Sequence, residues 1–75
     1  MDHKKIISTE VKAFRTAEGL SQSALAERIG VTKSEISYLE AGRHLPNVLT
    51  LLKLRAQGLD LLAKLEKNSK RKKVN

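Results

Sequence analysis

Apolar residues recur along the chain at intervals of three and four, the spacing that lines one face of an α-helix. Ile7, Val11 and Phe14 are the first residues with this spacing, and Gly19 is a typical stop signal after them. The pattern predicts a first helix from about residue 9 to residue 17.

Two further helices are predicted, separated by a short turn. Ser21 carries a hydroxyl suited to capping the second helix, and Gly30 ends that helix. Its buried side is expected to carry Ala24, Leu25 and Ile29. A turn this tight sets two helices at a steep angle to each other.

The third helix begins with a capping-box pattern. Thr32 and Glu35 are spaced so that each side chain can accept a hydrogen bond from the other residue's backbone amide. Ile36 and Leu39 are expected to face the core, and Gly42 to end the helix. The outward face is then short and polar, consisting of Lys33, Ser34, Ser37 and Tyr38.

A leucine-rich stretch follows the loop that ends at Pro46. Asn47 can cap a fourth helix there, and the apolar residues of that helix cover more than one side. The arc expected to face the core consists of Val48, Leu49, Leu52 and Ala56. Leu51 and Leu54 point away from this arc, so we expect another surface to cover them.

Gly58 breaks the fourth helix, and Asp60 can cap a last leucine-rich segment. The chain has no strand-like alternation and no internal repeat between the first helix and this segment. We therefore expect an all-α fold, a compact domain of four to five helices over residues 9–66. A flexible N-terminal arm (residues 1–8) and a disordered basic tail (residues 67–75) are expected to flank it.

Composition narrows the classes of function. The net charge is +7, but five of the 15 basic residues lie in the tail, which leaves ten basic against eight acidic residues in the rest. With no cysteine, and neither histidine in a catalytic pattern, we expect no enzyme activity, metal or cofactor. No apolar run is long enough to span a bilayer, so we expect a cytoplasmic protein without a membrane partner.

Several residues of the second and third helices and of the segments around them match one known pattern in register. They are Gly19-Leu20-Ser21-Gln22, Leu25-Ala26, Gly30-Val31-Thr32, Ile36, Glu40, Gly42 and Pro46. Together they resemble the lambda-repressor and Cro-like, or XRE-like, helix-turn-helix family, over about residues 9–62. The resemblance implies a lambda-repressor-like fold that binds double-stranded DNA and regulates transcription.

The resemblance also implies which side chains contact DNA. Gln22 corresponds to a residue that touches a phosphate, and Lys33 and Ser34 to residues that read base edges. Many family members have Gln where this chain has Lys33, and a lysine there favours guanine, whose O6 and N7 are acceptors. The full set expected at the DNA consists of Gln22, Thr32, Lys33, Ser34, Ser37, Tyr38, Arg43 and His44.

The remaining expectations concern partners. We expect two copies to pair as a homodimer on a palindromic operator and to repress transcription, using surplus leucines of the last two helices: Leu51, Leu54, Leu59, Leu62 and Leu65. The alternative is an antitoxin-type DNA-binding protein that holds a toxin with those same helices. The resemblance further implies an ion pair between Arg15 and Glu40 that fixes the geometry of the first and third helices.

Overall fold

The computed structural model describes the backbone of residues 2–73 and the side chains of residues 2–67. It contains five helices: α1 (His3–Ala17), α2 (Gln22–Ile29), α3 (Lys33–Glu40), α4 (Val48–Ala56) and α5 (Leu61–Lys73). The described part of the chain has no strand. The predicted all-α fold is confirmed.

Helix α1 begins six residues earlier than the expected start at residue 9. Asp2 caps it by accepting a hydrogen bond from the Lys5 amide at 3.2 Å, and Ile7 is 2 % exposed. Ile7 lies one turn before Val11 on the same face, so its burial extends the helix towards the N-terminus. Residues 3–8, which we expected to form a flexible arm, are therefore the first turns of α1.

The core is aliphatic and forms where the helices converge. Helix α1 packs against α3 and α5, and α2 packs against α3 and α4. The largest fully buried side chains are Val11, Leu25, Ile36, Leu39, Leu54 and Leu61. Their burial fixes the rotation of each helix about its axis, and this rotation decides which side chains of α3 face solvent.

The predicted core face of α4 was wrong. The arc that we assigned to the core is exposed, whereas Thr50 and Leu54 on the opposite side are 2 % and 0 % exposed. The helix is apolar on nearly every side, so the spacing of its apolar residues does not select a buried face. Contacts of Thr50 and Leu54 with the rest of the molecule make that selection.

The same rotation changes the set of leucines expected to pair two copies. Leu54 and Leu59 lie in the core of a single copy, and Leu51 and Leu65 are partly buried against it. Their assignment to a dimer surface is therefore not supported by the structure. Leu62 alone of the five is freely exposed, at 56 %.

Helix α5 is capped as predicted, because the Asp60 carboxylate accepts a hydrogen bond from the Ala63 amide at 3.1 Å. The helix continues to Lys73 and so overlaps the tail that we expected over residues 67–75. The side chains of residues 68–75 lie outside the described residues. Across the described residues, no helix has both the length and the apolar character needed to cross a membrane.

Candidate DNA-binding surface

The two helices joined by the α2–α3 turn have the caps that the sequence predicts. Ser21 caps α2 by accepting a hydrogen bond from the Ala24 amide at 3.0 Å. Gly30 ends the helix in a left-handed conformation with φ of 74°, which is strained for residues with a β-carbon. Two residues later Thr32 caps α3, so only three residues separate the two helices.

Helix α3 presents a continuous polar face to solvent. Ile36 and Leu39 are fully buried, which turns Lys33 and Ser34 outwards in the first turn. Ser37 and Tyr38 lie about one turn further along the same face, Ser37 half-buried and Tyr38 42 % exposed. The face therefore offers an ammonium group, three hydroxyl groups and one aromatic ring on the same side of the helix.

A buried ion pair holds α3 against α1. Arg15 Nε donates to Glu40 Oε2 at 2.6 Å and its Nη2 donates to Oε1 at 3.0 Å, so the pair is bidentate. Arg15 Nη1 also donates to the Leu20 carbonyl at 2.9 Å. The ion pair that the family resemblance implied is present, and it also supports the chain just ahead of α2.

The electrostatics of this pair follow from its contacts. Burial by itself raises the pKa of Glu40. Hydrogen bonds from Arg15 and Gln22, together with nearby positive charge, outweigh burial and lower the net pKa below its usual value of 4.5. The hydrogen bond to Glu40 raises the pKa of Arg15. Both groups are therefore held in their charged forms.

Gln22, expected to touch a phosphate, is the first residue of α2 and is half-buried. Its Nε2 donates to Glu40 Oε1 at 3.1 Å, which fixes the orientation of the side-chain amide. The amide keeps a second N–H that can donate to another acceptor. Gln22 is thus a positioned donor at the N-terminal end of α2, where the helix dipole also favours an anion.

Three expected contact residues form a cluster at the C-terminal end of α3 and in the loop that follows it. The Tyr38 and His44 rings meet edge to face, with centroids 5.1 Å apart. The Arg43 guanidinium lies over the Tyr38 ring, 5.6 Å from its centroid. All three side chains are exposed. The ring of Tyr38 therefore supports both a permanent cation and an imidazole in the loop that leaves α3.

Glu35 joins α3 to α4, and the sequence did not predict this link. Its amide donates to the Thr32 hydroxyl at 3.1 Å, as the capping box predicts. Within the described residues, however, its carboxylate does not return to the Thr32 amide; Oε2 accepts from the Thr50 hydroxyl at 2.8 Å. A single threonine in a strongly apolar helix was the available signal, because a buried hydroxyl needs a partner.

Lys53 makes a second link from α4 to the helix-turn-helix unit. Its ammonium group donates to the Gly30 carbonyl at 3.1 Å, at the C-terminal end of α2. Helix α4 is thus bonded to both α3 and the turn before it. No group of three or more His, Asp or Glu side chains converges as a metal site in the described part of the chain.

The sequence profile of a protein family described as Helix-turn-helix matches residues 11–57. This range covers more than half of the chain and contains α2, α3 and α4. The chain belongs to the XRE-type helix-turn-helix family. This family consists of DNA-binding transcriptional regulators, and α2 and α3 are the helix-turn-helix unit of this chain.

Proteins with similar sequences support the same family assignment. An uncharacterized HTH-type transcriptional regulator of Sinorhizobium fredii is 37% identical over 59 residues, which are 79% of this chain and 75% of that protein. Another, of Bacillus subtilis, is 35% identical over 48 residues, 64% of this chain and 73% of that protein. A third, of Methanothermobacter thermautotrophicus, is 44% identical over 41 residues, 55% of this chain and 59% of that protein. No solved structure matched the chain.

Proposed function

We propose that the protein is a sequence-specific repressor in the cytoplasm that places α3 in the major groove of double-stranded DNA. The observation that carries this proposal is the outward face of α3. Lys33 and Ser34 are exposed at its first turn while Ile36 and Leu39 anchor the opposite side. A helix whose rotation is fixed in this way presents the same side chains to every base pair that it meets.

Lys33 is the residue proposed to select the base sequence. It lies at the first position of α3, next to the cap, where family members insert side chains into the groove. Its ammonium group donates to acceptors and matches O6 and N7 of guanine. Ser34 is small and can donate or accept, so it reads an adjacent base without excluding Lys33.

Phosphate contacts are proposed on both sides of α3. Gln22 supplies a positioned amide at the start of α2, and Thr32 supplies a hydroxyl at the N-cap of α3. On the far side Arg43 and His44 follow the helix, with Tyr38 between them. Contacts of this kind set the position and orientation of a protein on the duplex, whereas base contacts set its specificity.

The proposed regulator acts as a homodimer on a palindromic operator. Two recognition helices related by a two-fold axis fit successive major grooves about 34 Å apart. A dimer bound in this way covers the operator, and repression follows because the site is no longer free for polymerase. Of the five leucines that we expected at the pairing surface, only Leu62 is freely exposed, so the dimer needs other apolar residues.

Selection of bound duplexes from a random DNA pool tests the function and defines the operator. We expect the protein to enrich a palindrome with guanine in each half-site. Lys33→Ala should lose about 1 to 3 kcal/mol of binding free energy on the enriched site and accept other bases at that position. Lys67→Ala, which removes an exposed lysine of α5 outside the helix-turn-helix, is the matched control and should keep the base preference of the parent.

The proposal has two distinct ways to fail. If the pool shows no enrichment above random duplex, sequence-specific binding is contradicted. If Lys33→Ala weakens binding to operator and random DNA by the same factor, Lys33 contacts phosphate and does not read a base.

A further inference from the structure

One side of α4 forms an uncovered apolar surface. Val48, Leu49 and Leu52 are 70 %, 59 % and 51 % exposed, and Ala56 is exposed one turn later. At 3.6 residues per turn these four residues fall within an arc of roughly 100°. We call them the α4 stripe. Four apolar residues on one arc are a continuous surface, unlike single exposed leucines, which are common and need no explanation.

The borders of the α4 stripe favour an apolar occupant. Lys53 and Arg55 flank it, but Lys53 donates to the Gly30 carbonyl at 3.1 Å and Arg55 Nε lies 3.9 Å from Asp60 Oδ2. Both cations therefore have partners in their own chain. The stripe itself offers neither a donor for phosphate nor a charge for an acidic peptide, so its occupant must be apolar.

The opposite side of α4 is bonded to the helix-turn-helix unit. Thr50 donates to Glu35 of α3 at 2.8 Å, and Lys53 reaches the turn before α3. Anything seated on the α4 stripe is therefore held in a fixed orientation relative to the outward face of α3. An operator with two half-sites requires this property, because two recognition helices must keep one separation and one relative angle.

We infer that the occupant of the α4 stripe is the α4 stripe of a second copy of this chain. Val48, Leu52 and Ala56 form a row at four-residue spacing, and two such rows interdigitate when helices cross at about 50°. A two-fold interface needs a surface that fits itself, and one helical row meets that condition. The inference rests on the proposed function, because the paired operator is what demands a second copy.

The size of the stripe sets the strength of the pairing. Helix α4 has nine residues and is about 13 Å long, so the contact covers well under the roughly 800 Å² per partner of a standard stable interface. Pairing in free solution is therefore weak. On DNA, two copies bound at adjacent half-sites have a high effective concentration, and the same contact then produces cooperative binding.

Two measurements test the inference. Sedimentation equilibrium of the full chain without DNA should show a reversible monomer–dimer equilibrium with a Kd of roughly 1 mM, as expected for a small interface. Titration of the selected operator should show at least about tenfold tighter binding to the second half-site once the first is filled. Duplexes with one half-site give the reference affinity.

The variants separate the α4 stripe from other apolar surfaces. The double variant Leu49→Gln with Leu52→Gln replaces two exposed side chains without changing charge. It should abolish self-association and cooperativity and keep the affinity for one half-site. Leu62→Gln is the matched control, because Leu62 is exposed to a similar extent, 56 %, but lies on α5. It should behave as the parent protein does.

Three results would overturn the inference. The parent chain could remain monomeric at 1 mM and fill both half-sites independently. Leu62→Gln could abolish pairing while the double variant keeps it, which would place the interface on α5. A monomeric chain could instead co-purify with a different protein, such as a toxin, that the double variant releases. Failure to bind any DNA would refute the proposed function, and sedimentation would still test the interface.

Discussion

The Glu40 carboxylate connects three parts of the domain. It accepts hydrogen bonds from Arg15 of α1 and from Gln22 at the start of α2, while its own backbone belongs to α3. The Ser8 hydroxyl of α1 also donates to the backbone carbonyl of Glu40. Because two of these contacts hold elements of the helix-turn-helix unit, loss of the charge on Glu40 should affect stability and the position of Gln22 together.

The free energy of unfolding should fall in acid as the Glu40 carboxylate becomes protonated. Its pKa in the folded protein lies below the usual 4.5, so its contribution is complete above that value and is lost as the pH falls through the folded pKa. Glu40→Gln should lower the free energy of unfolding at pH 7 by about 2 kcal/mol and flatten its decline below pH 4.5. Urea unfolding at a series of pH values measures both effects.

An exposed ion pair supplies the control for this prediction. Arg28 lies 3.3 Å from Glu18, with side chains 40 % and 44 % exposed, so solvent screens the pair. Glu18→Gln should change the free energy of unfolding by less than about 1 kcal/mol. Equal losses in Glu18→Gln and Glu40→Gln would contradict the special role of the buried pair.

Helix α4 has two faces with different roles. One face holds the helix-turn-helix unit through Thr50 and Lys53, and the opposite face carries the exposed α4 stripe. The sequence predicted α2, the turn and α3 because their caps and glycines are local signals. It did not predict the rotation of α4, because the partner of Thr50 is 15 residues away in sequence.

The start of α1 and the candidate DNA-binding surface also combine local features, which the sequence predicts, with contacts between distant residues, which it does not. The Asp2 cap is local, but only the buried side of Ile7 makes the extra turns stable. In the site, the outward face of α3 follows from its two buried residues and was predicted. The orientation of Gln22 depends on Glu40, 18 residues away, and required the structure.

Removal of the Thr50 hydroxyl should loosen α4 from α3. Thr50→Val keeps the shape of the side chain and leaves the Glu35 carboxylate without its partner, so the free energy of unfolding should fall by about 1 to 2 kcal/mol. Thr50→Ser keeps the hydroxyl and should lose less. Thermal unfolding monitored by circular dichroism compares the two, and a Thr50→Val protein as stable as the parent would contradict the link.

The net charge of the protein and the shape of its surface have separate roles in the proposed DNA binding. The chain carries a net charge of +7, and residues 1–66 contribute only +2 of it, from ten basic and eight acidic residues. We therefore expect DNA binding by residues 1–66 to depend on individually placed contacts more than on a general positive field. The outward face of α3, fixed by the core and bounded by Gln22 and Arg43, is where those contacts are proposed.

Titration of the isotopically labelled protein with the selected operator, followed by NMR chemical shifts, tests this proposal most directly. We predict that the largest changes fall on Lys33, Ser34, Ser37 and Tyr38, with smaller changes at Gln22 and Arg43. A random duplex of the same length should shift the flanking residues more than the outward face. Unchanged signals from Lys33 and Ser34 in a saturated operator complex would contradict the account.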